Sequence, residues 1–172
     1  MALDEEQQRI RGYLQTQAAK LDLPDLIAKV RTDMQQVRSA AEAVSADRFS
    51  EKPAPGEWSA NEIMAHIVGG AKGNAEAILG AIETGKPPAV GARDQMEATE
   101  RQHSASEWWE ALESARTRLF ERASKAKGDE HLDVTWDHPF FGPLNWREWL
   151  LFQRIHDLDH ARQMQSLTDT KI

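Results

Sequence analysis

No cysteine occurs among the 172 residues. That absence excludes disulfides, zinc–thiolate sites, iron–sulfur clusters and cysteine nucleophiles. Any transition metal must therefore be held by imidazole, carboxylate or water. Basic residues are also short: 21 Lys and Arg stand against 28 Asp and Glu, for a formal net charge of −7. That balance argues against nucleic acid as a partner. No apolar run approaches the ~20 residues of a membrane span. The stretch MALDEEQQRIRGYLQ is charged and has no apolar signal core, so the expected compartment is the cytoplasm. Familiar chemical signatures are missing too: there is no serine nucleophile elbow, no phosphate-cradling glycine loop and no basic–aromatic alternation.

What is present reads as an ordinary globular chain, 40% hydrophobic and 28% charged, of a size that suits one core. The dominant period is helical. From about Asp4 to Lys20 a mostly polar helix carries Ile10, Tyr13 and Leu14, and residues 1–22 are expected to form a loosely docked extension to a domain spanning 23–172. Pro24 suits the first turn of the next helix. Leu26, Ile27, Val30, Met34, Val37, Ala41 and Val44 then recur at three- and four-residue steps, an apolar stripe that predicts a helix near 24–45. After the Pro- and Gly-rich loop FSEKPAPGEW, Ser59-Ala-Asn-Glu62 reads as a capping box opening a helix over 59–83. Gly69, Gly70 and Gly73 lie on or near its stripe and cost roughly 1 kcal/mol each relative to alanine. They suit a place where another group approaches closely. A further helix is expected over 93–127, with a second cap at Ser104-x-x-Glu107 and a stop at Gly128. Residues 129–144 are too broken for a helix, and Asn145 caps a last one over 145–167. Four main helices joined by loops give an all-α four-helix bundle.

Six histidines occur in the chain. His156 and His160 are four apart, so on a helix they stack one turn above another and can chelate one ion. Trp149, Phe152 and Met164 share their face, which points the imidazoles toward the core. That pattern fits metal ligands and a hydrogen-bonded core pair equally. His66 lies between Ile63, Ile67 and Gly70 on the stripe of its helix, where a lone histidine is most often a satisfied core residue. It matters because facing helices of a bundle can supply a third ligand. Glu62, one turn earlier, could support His66, but closing the capping box is the stronger reading. His138 precedes Pro139 in a loop and either lines a pocket mouth or caps the next helix. His103 and His131 sit among charges and read as solvated. Trp58, Trp108, Trp109 and Trp136 read as core or loop anchors, and one of Trp146 and Trp149 is expected to wall a pocket.

The order of these features is recognisable. Gly-Glu-Trp-Ser-x-x-Glu-Ile-x-x-His-Ile (56–67), His-Pro-x-Phe-Gly (138–142) and Trp-x-x-x-x-x-x-His-x-x-x-His-x-x-Gln (149–163) together resemble the DinB/YfiT-like superfamily, from about Leu26 to Leu167. The resemblance implies a four-helix bundle, often a homodimer, with a divalent metal on three histidines. Here those positions hold His66, His156 and His160. Some relatives are transferases that use a low-molecular-weight thiol, and others look like metal-dependent hydrolases.

Three neutral imidazoles would leave an open coordination position, the arrangement of a catalytic site. Zinc, nickel and iron all suit such a donor set. The expected function is therefore a metal-dependent enzyme acting on a small-molecule substrate, with thiol S-transfer favoured over hydrolysis. With no cysteine in the chain, any sulfur nucleophile must arrive as a small-molecule thiol. The alternative is a non-catalytic, metal-binding, stress-associated dimer. Only Glu62, Asp159 and His138 offer acid–base groups. A homodimer is expected from the resemblance and from the apolar surplus of Trp108, Trp109 and Trp146.

Overall fold

A computed structural model describes residues 4–89 and 101–169. Five helices are α1 (Glu5–Lys20), α2 (Leu23–Ala43), α3 (Ala60–Thr84), α4 (Ala105–Ala123) and α5 (Trp146–Asp169). A two-stranded antiparallel hairpin, β1 (Thr135–His138) and β2 (Gly142–Asn145), precedes α5. Helix α2 packs on α5 and α4, and α3 packs on the same two, so the four close a ring around the core. This is the expected four-helix bundle.

Local chemistry explains most boundaries. Asp22 caps α2 through the Asp25 amide, with Pro24 in the first turn. Ser59 and Ser104 close full capping boxes with Glu62 and Glu107. Asn145 Oδ1 accepts from the amides of Arg147 and Glu148, while Glu148 accepts from the Asn145 amide. The α2 stripe is buried along its length: Leu26, Val30 and Val37 are fully covered, and Met34 nearly so. Each such side chain stabilises by roughly 1.5–3 kcal/mol.

The helix expected over 93–127 needs correction at both ends. It begins only at Ala105, behind the Ser104 cap, and residues 93–100 lie outside the described residues. It ends at Ala123 rather than at Gly128, because the chain turns at Ser124 and Glu130 then accepts from the amides of Lys127 and Gly128. Residues 129–144 form no helix, as expected, and within them Trp136 pairs with Leu144 and His138 with Gly142.

The first helix is not loosely attached. Its Leu14 and Ala18 are buried, and the buried guanidinium of Arg147 on α5 ties its end down. Arg147 Nε donates to the Ala18 carbonyl at 2.9 Å, Nη2 to that of Leu21, and Nη1 to that of Gly128 at 2.7 Å. A cation meeting the exposed carbonyls of a helix C-terminus is doubly favourable, through hydrogen bonds and the helix dipole. Gly128 has φ +103°, and a Cβ there would lie 2.9 Å from Arg147 Nη1, so only glycine fits.

The tryptophans bear on the expected dimer. Trp108, Trp109 and Trp146 are 8%, 5% and 0% exposed within the single chain, so they form no apolar surplus. Two of the indoles are satisfied internally, with Trp108 Nε1 on Asn61 Oδ1 and Trp146 Nε1 on the Glu130 carbonyl. Among the described residues no helix is long and apolar enough to cross a membrane.

Candidate metal centre

Helix α3 delivers His66, and α5 delivers His156 and His160 from successive turns. Nε2 of His66 lies 2.9 Å from Nε2 of His156. One ring nitrogen from each of the three histidines falls within 4.8 Å of the others. Ring centroids are 4.9 Å apart for His66 and His156, 4.8 Å for His66 and His160, and 4.5 Å for His156 and His160. Donors that each reach an ion at about 2.0–2.1 Å lie roughly 3–4 Å from one another. With one pair at 2.9 Å and all three donors within 4.8 Å of one another, the residues fit a divalent ion. Gly70 borders the triad: a Cβ there would make an ordinary contact with His156 Cε1, at 4.0 Å.

The electrostatics disfavour charge on two of the three imidazoles. Burial, reinforced by the neighbouring His156 and His160, lowers the His66 pKa to about 4. Burial likewise holds His160 below the usual histidine range. Neutral rings keep a lone pair free for an ion. At His160 the tautomer is also set. Nδ1 sits 2.8 Å from Gln163 Oε1, and a carboxamide oxygen can only accept, so Nδ1 carries the proton and Nε2 is the free donor atom.

Around the triad the walls are aromatic. The Trp58 indole stacks on His160 with centroids 6.0 Å apart and tilts against His66 at 5.3 Å. Phe152 lies 5.8 Å from His156. From here an open groove of about 1780 Å³ runs between α3, α5 and the hairpin. Gly69 and Gly73 form part of its floor, and a Cβ at either would meet nothing within 4 Å. These glycines make room in the groove rather than allow a close helix contact. Phe140, at the hairpin tip and 47% exposed, stands on the rim.

The remaining candidates sort by geometry. Glu62 closes its capping box: Oε2 accepts from the Ser59 amide at 2.9 Å, and Oε1 meets Lys52 Nζ at 2.8 Å. Burial alone would raise this carboxyl, but the hydrogen bonds from Lys52 and Ser59 outweigh it and hold the pKa below the ordinary value. His138 lines the groove, buried between Phe141 and Phe152. Its Nδ1 accepts from the Phe140 amide at 3.1 Å, so Nε2 bears the proton, and burial lowers its pKa to about 4. Asp159 is exposed on the groove wall. Of the two tryptophans flanking the pair, Trp149 lines the groove, while Trp146 is fully buried elsewhere. His103 and His131 are exposed. The sequence reading gave no site role to Trp58 or Gln163, although both lie inside the motifs quoted above. Three-residue spacing from His160 to Gln163 was the available signal, since such pairs face each other on a helix.

Comparison with known proteins agrees with this architecture. The family model described as the DinB superfamily matches residues 29–164. Among solved structures, TT2238, described as a four-helix bundle protein, superposes with a TM-score of 0.61 at 19% identity, over 84% of this chain and 98% of that one. At that identity the likeness is one of fold. No curated protein sequence matches the chain.

Proposed function

The chain belongs to the DinB superfamily, and from that premise we propose that it is a metal-dependent enzyme acting on a small molecule. In this reading His66, His156 and His160 hold one divalent ion, and the groove beside them receives the substrate. One observation carries it: His66 and His156, ninety positions apart, bring Nε2 to within 2.9 Å of Nε2. A pair so distant in sequence meets only because the bundle folds, and the partner turn of α5 adds His160. Zinc, nickel and iron suit three imidazoles alike.

A divalent ion bound there would supply Lewis acidity and lower the pKa of a water or thiol within its reach. The chain's own residues do the rest. Burial keeps His66 and His160 neutral, Gln163 fixes the His160 tautomer, and Trp58 and Phe152 shield the triad from bulk solvent. Glu62 is committed to Ser59 and Lys52, and His138 has its Nδ1 occupied. Asp159 alone of the acid–base candidates remains open on the groove. The little general-base capacity beside the site leaves activation of the nucleophile, water or thiol, to the ion, and the preference for thiol transfer over hydrolysis comes from the family resemblance. The thiol is a small-molecule cofactor, because the chain has no cysteine.

The bundle proper comprises residues 23–172 in this reading, with α1 in residues 1–22 as a packed fifth helix. Homodimerisation is part of this reading on the family resemblance, and a cytoplasmic location goes with it. Metal analysis of protein purified without a nickel column tests the reading, followed by a screen for conjugation of small thiols to electrophiles. Turnover that needs the ion supports an enzyme. A stoichiometric ion without turnover of any substrate class supports the non-catalytic alternative.

A further inference from the structure

Behind His156 lies an ion pair with no evident purpose as a stabiliser. Arg116 on α4 and Asp157 on α5 have side chains 2% and 0% exposed, and Arg116 Nη2 donates to Asp157 Oδ1 at 2.9 Å. The rest of the pair is poorly satisfied. Arg116 Nε and Nη1 and Asp157 Oδ2 are buried and meet no hydrogen-bond partner among the described residues. Desolvation of two charges is repaid only when their remaining polar atoms are also bonded, so a pair like this stabilises less than apolar residues of the same volume.

Its position offers another role. Asp157 Oδ1, the oxygen held by Arg116, is 3.9 Å from Nδ1 of His156. The opposite nitrogen, Nε2, is the one that faces His66. His160 repeats the arrangement, with Nδ1 on Gln163 Oε1. Both α5 histidines thus turn Nδ1 toward a side-chain oxygen of their own helix.

We propose that Asp157, anchored from α4 by Arg116, is a positioning residue that holds the proton of His156 on Nδ1 and aims Nε2 into the three-histidine site. At 3.9 Å the contact is electrostatic and becomes a hydrogen bond with a modest turn of the ring. A fixed carboxylate beside Nδ1 attracts the N–H to that side and leaves the Nε2 lone pair free. In the 2.9 Å contact His66 is then the donor. Arg116 supplies the rigidity: without it, Asp157 would be an unpaired buried charge free to change rotamer. The inference rests on the metal reading of the triad for its purpose, but not for its geometry.

Two measurements on the whole protein test it. In metal-free protein, nitrogen–proton NMR correlation of the imidazoles reads which nitrogen of His156 bears the proton. The expected result is Nδ1, shifting toward Nε2 in an Arg116→Met/Asp157→Leu double variant, which removes both charges and keeps the core apolar. Zinc affinity by chelator competition is the second readout, expected to fall roughly 10- to 100-fold in that variant while its near-ultraviolet circular dichroism stays native. A purely structural pair would change stability and leave both readouts alone. A proton on Nε2 of wild-type His156, or unchanged affinity in the folded double variant, overturns the proposal. Should the wild-type protein bind no zinc, the three-histidine reading fails, and the proton position on His156 still decides whether Asp157 orients the ring. That measurement needs no variant, so a double variant that does not fold leaves the question decidable.

Discussion

Gln163 Oε1 lies 2.8 Å from Nδ1 of His160, three residues back on the same helix. The contact settles which nitrogen of His160 can take a ligand, and it costs the fold almost nothing to lose. Replacement of Gln163 by alanine is therefore expected to weaken zinc binding by roughly 10- to 100-fold with thermal stability nearly unchanged. Chelator competition alongside a melting curve checks it. Equal affinity in the two proteins would show that His160 needs no such support.

Arg147 makes the opposite prediction. Its guanidinium holds the carbonyls of Ala18, Leu21 and Gly128, far from the histidines. The Arg147→Met variant leaves these carbonyls without their donor, and is expected to lose about 2–4 kcal/mol of stability. Urea unfolding measures the loss. Metal stoichiometry under native conditions should not change, and a parallel loss of metal would mean that α1 and the site are coupled.

The groove glycines give a third test. Gly69 and Gly73 have open space where a Cβ would go, so Gly69→Ala should stabilise α3 by roughly 0.5–1 kcal/mol. Denaturant midpoints decide the sign. A destabilised variant would mean that some other group sits against that face of α3 in solution.

Acid sensitivity follows from His138. Its folded pKa is about 4, because burial disfavours the charged ring, against about 6.5 in an unfolded chain. The unfolded state then binds more protons between those values. Stability of metal-free protein is full above about pH 6.5 and falls as the pH drops toward 4. Unfolding measured across that range should show a shallower fall in His138→Asn, which keeps an acceptor for the Phe140 amide, by up to one proton. An identical slope would assign the acid sensitivity to other groups.

Much of this was legible in the sequence because it is local. The α2 stripe through Leu26, Val30 and Val37, and the caps at Ser59, Ser104 and Asn145, depend on neighbours within a turn or two. They placed the helices and set His66 on the core side of α3. The four-residue step from His156 to His160 is equally local. What escaped is held by long-range contact: Arg147 reaching Ala18, Arg116 reaching Asp157, and Trp58 lying over His160. No periodicity records these, since each depends on how separate elements pack. The hairpin escaped for a different reason. Pro139, Gly142 and Pro143 read as breakers, yet Pro143 has no amide to give to a ladder and the pair is only four residues long. The expected apolar surplus at Trp108, Trp109 and Trp146 failed because counting tryptophans cannot show that the chain buries all three, or that Asn61 and Glu130 bond the indoles of Trp108 and Trp146.

The most direct test of the central claim is the metal content of His66→Ala, measured by elemental analysis against wild type after purification without a nickel column. His66 stands on α3, ninety residues from His156, so only a site assembled by the fold depends on it. The account predicts one divalent ion per wild-type chain and near-complete loss in a folded His66→Ala, since two imidazoles on one helix chelate weakly. Unchanged stoichiometry in that variant, with its helical signal intact, would contradict the three-histidine centre.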